Sequence, residues 1–188
     1  MSPFESLVKQ RRSIRKYLDK PVEREKILTC IEAARLAPSA ENIQPWRFLV
    51  IDEPELKAEF SRQAFSGIYR PTRWAAKAPV IIVLLAKLDI LTNRLGKQIQ
   101  GIPFYLLDMG IAGEHLVLQA QDLGLGTCWI GWFNSKKVQK FLGIPSTYKI
   151  VALISLGYPE KLTLKEKRKK ALKEIVWFNG FNRRLETV

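Results

Sequence analysis

Apolar residues along this chain recur with two different spacings, and the switches between them mark out the elements. Phe4, Leu7 and Val8 are spaced for one face of a helix. In front of them stand a capping hydroxyl at Ser2, Pro3 at the first helical position and Glu5 three residues after the cap. This helix is expected to run out near the arginines, so that Arg11 to Arg15 fall at or just past its end. A second helix is predicted over residues 23 to 36, with Ile27, Leu28, Ile31 and Ala34 on one side and Pro38 as its stop. WRFLVID, residues 46 to 52, reads as a strand, after which Asp52 and Pro54 open a short amphipathic helix carrying Leu56 and Phe60. PVIIVLLA then reads as a strand buried on both faces.

Residues 104 to 123 have helical character but are apolar nearly all round, the pattern of burial on several faces, and such a helix suits a dimer seam. Gly124 and Gly126 punctuate its end, and TCWIG follows as a short strand. Residues 135 to 142, with Gly143 beyond, have the capping pattern of another helix, and KIVALISLG, residues 149 to 157, is the last clear strand. Residues 87 to 103 give no clear pattern. No repeat or low-complexity linker divides the chain. The expectation is one domain over residues 1 to 188 with a mixed α+β core and a long C-terminal extension from about residue 158.

Composition narrows this picture. At 188 residues and 47% hydrophobic content the chain suffices for one ordinary domain. Its longest apolar run, residues 80 to 86, is far short of the roughly 20 residues that span a bilayer. Glu5 and Lys9 interrupt the apolar core a secretory leader would need, so a cytoplasmic protein is expected. Cys30 and Cys128 are too few for a disulfide scaffold and lack the spacing of a zinc site, which leaves two buried thiols. A net charge of +13 favours phosphorylated or polyanionic partners. The chain shows neither basic regions interleaved with aromatics nor zinc-finger spacing, so sequence-specific nucleic-acid binding is not expected.

Four segments carry candidate chemistry. RRSIRKY places Arg11, Arg12, Arg15 and the Ser13 hydroxyl within five residues, a set that suits a phosphate through forked guanidinium bonds. APSAENIQPW puts Ser39, Asn42 and Gln44 in a loop between a helix and a strand, where amide and hydroxyl groups can recognise a polar heterocycle. LGLGTCWIGWF has glycines that let backbone approach a flat ligand closely, with a turn at Gly131. The last segment begins at LGYP and ends in the basic run KEKRKKALKEIVW. Taken singly, each also reads plainly: a solvated basic helix end, a capped turn, a helix-to-strand connection and a solvated charge run.

Together, in this order and spacing, the four segments resemble the nitroreductase family over most of the chain; residues 66 to 107 have no counterpart motif. The resemblance implies an α+β fold with a central mixed or antiparallel sheet flanked by helices, in which two subunits intertwine and bind two FMN molecules at their interface. It implies that Arg11 and Ser13 are phosphate ligands, that Arg12 lies along the ribityl phosphate, and that Arg15 stands by the flavin pyrimidine edge. Ser39 and Asn42 match positions contributed by the neighbouring subunit, and Ile130 and Gly131 match the backbone turn facing flavin N5. Pro38, Gln44, Thr127 and Trp129 belong to the same matched motifs and are counted with the cofactor site. In the tail, either Arg168 or Lys169 takes the place of a basic phosphate ligand.

The implied activity is ping-pong transfer of hydride from NAD(P)H through FMN to a small-molecule acceptor such as a nitroaromatic or quinone. A single histidine, His115 within the apolar helix, reads as a satisfied core or interface residue, and a cofactor that carries the chemistry removes the need for a catalytic base. The alternatives are a related enzyme that dehalogenates a phenol or fragments the flavin, a flavin carrier without activity, and a basic nucleic-acid-binding protein.

Overall fold

The apolar run PVIIVLLA becomes the strand on which the rest of the core is assembled. The computed structural model describes residues 1–88, 101–161 and 168–181. Its strands are β1 (Trp46–Ile51), β2 (Val80–Lys87), β3 (Gly126–Ile130) and β4 (Tyr148–Gly157). They form one antiparallel sheet in the order β1-β2-β4-β3. Around it lie helices α1 (Pro3–Gln10), α2 (Arg24–Arg35), α3 (Pro54–Ala64), α4 (Phe104–Asp122), α5 (Ser135–Phe141) and α6 (Leu172–Ile175). Two 3-10 segments, Ala40–Asn42 and Gly67–Lys77, complete the described elements. No helix among the described residues is long and apolar enough to cross a membrane.

Strand alternation sorts β2 onto both faces of the sheet. Val80, Ile82, Leu84 and Ala86 pack with Ile27, Cys30 and Ala34 of α2 and with Met109, Ala112 and Leu116 of α4. Ile81, Val83 and Leu85 pack on the opposite face with Phe60 and Ala64 of α3, Val138 of α5 and the flanking Phe65 and Phe133. The class is therefore α+β, with an antiparallel sheet covered by helices on both sides. Both thiols are buried, and burial pushes that of Cys30 up to about 11.

The expected cap forms at Ser2 and a further one at Asn134, whereas the one expected at Asp52 does not form. Ser2 Oγ accepts the Glu5 N–H at 3.1 Å, and Asn134 Oδ1 accepts the Lys137 N–H at 3.1 Å. At α3 the cap position is Glu53, without a side-chain bond, while Asp52 accepts from Arg24 Nε at 2.8 Å. Several apolar positions expected in the core face outward instead. Leu28 is 63% exposed, and its place on the buried face of α2 is taken by Cys30. Helix α1 buries no residue at all, leaving Phe4 and Val8 exposed. On α4, Met109, Ala112, Leu116 and Ala120 face the sheet, whereas Leu106, Leu107 and Ile111 remain open. His115 Nδ1 lies 3.2 Å from the Ala33 carbonyl and ties α4 to α2.

Where α4 crosses β3 the contact leaves no space for a side chain. A Cβ at Gly113 would stand 2.1 Å from Cη2 and 2.5 Å from Cζ2 of Trp129. Ordinarily a helix gains about 1 kcal/mol when glycine becomes alanine. Here overpacking of about 1–3 kcal/mol outweighs that gain. Gly113→Ala should therefore lower stability in denaturant unfolding, and a more stable variant would show that Trp129 does not occupy this seam.

Candidate functional site

Helix α1 ends at Arg11, whose N–H reaches the Leu7 carbonyl at 3.0 Å. Residues 11–18 then leave the helix as a strap along β3, an edge strand of the sheet. Ser13 pairs with Thr127 in parallel, and the Ile14 N–H donates to the Thr127 carbonyl at 2.8 Å. Further along, the direction reverses relative to its neighbour. Tyr17 pairs antiparallel with Pro159, the Leu18 N–H donates to the Tyr158 carbonyl at 2.9 Å, and the Glu160 N–H donates to the Lys16 carbonyl at 3.1 Å. One strap thus covers the β3 edge and the chain leaving β4.

Two glycines let the strap lie this close. A Cβ at Gly126 would come 2.7 Å from Ile14 Cγ1, and one at Gly157 would come 2.9 Å from the Tyr17 ring and 2.4 Å from Pro79 Cδ. The Tyr17 hydroxyl donates to the Ile14 carbonyl at 2.7 Å and shares a 2.8 Å hydrogen bond with Ser155 Oγ. Burial pushes this phenol far above its ordinary value near 10, so it remains a neutral donor.

The strap carries the predicted anion ligands within five residues. Arg11 is half-buried, with Nε 3.7 Å from Glu114 Oε1. Arg12 folds back over the end of α1, and its Nη1 donates to the carbonyls of Lys9 and Arg11. Its Nε is buried and has no hydrogen-bond partner among the described residues. A buried guanidinium N–H without an acceptor is costly, so this atom marks a place where an acceptor belongs. Arg15 takes a different direction, with its guanidinium carbon 5.5 Å from the centre of the Trp74 ring. No Asp or Glu lies between Glu5 and Asp19 or between Asp122 and Glu160, so the strap and the strands beneath it contribute cations alone.

The second segment is a loop in strained backbone. Glu41, Asn42 and Gln44 all adopt left-handed conformations, with φ near 50, 55 and 50°. Such geometry in non-glycine residues persists where surroundings over-determine it. Ser39 Oγ accepts the Gln44 N–H at 3.0 Å, and Gln44 Nε2 donates to Asn42 Oδ1 at 3.0 Å. From below, the buried carboxylate of Asp108 on α4 accepts the Ala40 N–H at 3.0 Å. Pro38 and Asn42 are left exposed, and Ser39 and Gln44 half-buried.

The third segment splits its residues between packing and opening. Thr127 and Ile130 are buried, and the partly buried Trp129 sets its indole against Gly113. Gly131 is exposed, and a Cβ there would meet nothing within 4 Å. Trp132, next in line, is held by the segment Gly67–Lys77: its Nε1 donates to the Ile68 carbonyl at 3.1 Å, and its carbonyl accepts from Thr72 Oγ1 at 2.8 Å. Arg168 and Lys169 are exposed, with no hydrogen bond or ion pair among the described residues.

The structure thus joins the strap to the β3 turn and anchors the 38–44 loop on α4. It also gives roles to Tyr17 and Trp132, which the motifs contain but the sequence reading left unassigned, and adds Trp74 and Asp108 from outside the four segments. Asp108 had a visible signal, as a lone acid early in an apolar helix. Trp74 sits in the stretch from 66 to 107 for which no motif was found.

The antiparallel α+β fold described above is shared with solved structures of known family. The sequence model of the nitroreductase family matches residues 8–158. The chain belongs to that family. It is 32% identical to a putative NADH dehydrogenase/NAD(P)H nitroreductase of Archaeoglobus fulgidus over 158 residues, 82% of this chain and 84% of that protein. The crystal structure of a nitroreductase family protein from Clostridium difficile 630 superposes with a TM-score of 0.79 at 30% identity, covering 96% of this chain and 99% of that one. An FMN-dependent nitroreductase from Clostridium difficile R20291 superposes with a TM-score of 0.72 at 32% identity, over 93% of this chain and 98% of that one.

Tyr17→Phe tests the seam that holds the strap. Removing the hydroxyl leaves the Ile14 carbonyl without this donor and should cost about 1–2 kcal/mol at neutral pH. The unfolded phenol ionises near pH 10 while the folded one stays protonated, so its share of stability is complete below pH 10 and is lost as pH rises further. The variant's loss of stability between pH 10 and 11 should be shallower, by up to about 1.4 kcal/mol per pH unit. Identical pH profiles for the two proteins would mean that Tyr17 is not shielded in the fold.

Proposed function

We propose that this protein is an FMN-dependent oxidoreductase that passes hydride equivalents from NADH or NADPH to a small-molecule acceptor, such as a nitroaromatic or a quinone, as a cytoplasmic homodimer. The observation that carries the reading is the buried, unpartnered Nε of Arg12, in a strap that also carries Arg11 and Ser13. This donor set fits a phosphate monoester, and its place along a glycine-bearing strand fits the phosphate end of a flavin nucleotide. When bound, FMN supplies the two-electron chemistry that the chain's own side chains lack.

The residues then divide the work. Arg11, Arg12 and Ser13 hold the phosphate, and either Arg168 or Lys169 from the tail adds a further cation. The backbone from Thr127 to Gly131 supports the flat face. Reductant and acceptor would then use one place beside the flavin in turn, as ping-pong exchange requires. Pro38, Ser39, Asn42 and Gln44 approach from the second copy. A second copy would also cover apolar residues that the single chain leaves exposed, among them Phe4, Val8, Leu107 and Ile111.

Two substitutions separate binding from tuning. Arg11→Ala removes a charged partner of the phosphate and should weaken FMN binding by about one to two decades in a fluorescence titration. Arg15→Gln should leave FMN bound, because the phosphate ligands are intact. A cation near the pyrimidine edge favours the more electron-rich reduced form, so the midpoint potential of the variant should fall by tens of millivolts, about 30. Turnover of NAD(P)H with nitrofurazone should follow ping-pong kinetics in the parent protein. Failure to reduce any acceptor in the presence of FMN would overturn the reading, and an unmoved potential in Arg15→Gln would remove Arg15 from the pyrimidine edge.

A further inference from the structure

The segment Gly67–Lys77 winds in successive 3-10 turns. Residues three apart therefore share a face. Tyr69, Thr72 and Ala75 form the first face. The Tyr69 ring lies 5.2 Å from that of Trp132, Thr72 Oγ1 donates to the Trp132 carbonyl, and Ala75 is fully buried. Trp74 stands on the second face, under the Arg15 guanidinium. Arg70 and Arg73 make up the third. Both are exposed, and neither has a hydrogen bond, ion pair or ring contact among the described residues.

Arg73 is flanked in the chain by Thr72, bound to Trp132, and by Trp74, bound to Arg15. The backbone that carries the two arginines is thus held beside both elements that form the site, the strap and the Gly131 turn. Nothing nearby in the sequence neutralises them. No Asp or Glu occurs between Glu59 and Asp89, and the strap and β3–β4 segments are equally free of acids. Unpaired cations at the mouth of a site raise the local concentration of anions, and an arginine fork matches carboxylate or phosphate oxygens. The phosphate of FMN does not call on them, since Arg11, Arg12 and Ser13 already supply its donors. What remains for them is the molecule that visits the site.

We propose that Arg70 and Arg73 bind an anionic group, a carboxylate or a phosphate, on the electron acceptor, so that the enzyme prefers anionic acceptors to neutral ones. This rests on the function proposed above. The test compares 4-nitrobenzoate with 4-nitrobenzyl alcohol, both assayed on the FMN-loaded protein and on its R70S/R73S variant. The ratio of kcat/KM for the anionic over the neutral compound should fall about tenfold in the variant, the modest size expected of exposed cations. Raising the salt concentration should lower the same ratio in the parent protein and have little effect in the variant. An unchanged ratio overturns the proposal, including the case in which the variant loses only its kcat/KM for NADPH, since the arginines would then serve the reductant.

The two readings can fail separately. Should the loaded parent protein reduce neither compound, the oxidoreductase reading fails, and binding alone decides the present proposal. Quenching of tryptophan fluorescence by 4-nitrobenzoate should then be saturable and about tenfold weaker in R70S/R73S. Equal affinity in both proteins, or no saturation in the parent, overturns it. Both substitutions lie on the exposed face of a surface segment, so the fold should tolerate them within about 0.5 kcal/mol, which thermal unfolding verifies.

Discussion

Everything at the candidate site hangs on how the strap of residues 11–18 meets the edge of the sheet. Backbone pairing alone, at Ser13 with Thr127 and at Tyr17 with Pro159, fixes its height above β3 and β4. The absence of side chains at Gly126 and Gly157 lets Ile14 and Tyr17 settle against the strands. The Tyr17 hydroxyl then pins the strap from inside, on the Ile14 carbonyl and Ser155. With those anchors in place, the backbone that carries Arg11, Arg12 and Arg15 is held against the edge of the sheet. The positions of their backbones are set by the sheet, and this rigidity separates a binding site from a charged helix end.

The same seam explains why a buried guanidinium nitrogen can stand without a partner. Arg12 is folded onto the last carbonyls of α1, which satisfies one end of its fork and leaves Nε enclosed. A protein interior seldom tolerates such an atom, and the neighbouring segments hold no carboxylate to answer it. Glu114 reaches Arg11 at 3.7 Å and leaves the remaining cations unopposed. The field at this edge is therefore positive before any ligand arrives. Trp74 and Trp132 add aromatic surfaces under and beside it, one carrying Arg15 and the other fastened to the 67–77 segment.

Much of the fold was legible because its periods are strong. PVIIVLLA reads as a strand with two covered faces, and both faces are covered. The helices at 3–10, 24–35 and 104–122 were visible in spacing and caps. Spacing says which residues share a face but not what that face meets, which is why Leu28, Phe4 and Val8 were expected inside and lie outside. The strap motif was legible as chemistry, whereas the bond of Tyr17 to Ser155 and the packing of Ile14 on Gly126 join residues more than a hundred positions apart and leave no local pattern. Residues 67–77 escaped notice for a different reason: a 3-10 run has a period of three, and Pro71 inside it reads as a break. The left-handed Glu41 and Gln44 are likewise unreadable, since neither residue type favours that conformation by itself.

The central claim is that the strap recognises a phosphate, and that the flavin is placed by its nucleotide end. Calorimetric titration of the apoprotein with FMN and with riboflavin, which differ by that phosphate alone, tests this most directly. The account predicts that FMN binds with one site per chain and that riboflavin binds at least about 100-fold more weakly, the loss expected when several charged hydrogen bonds have no acceptor. Equal affinity for the two flavins would contradict it.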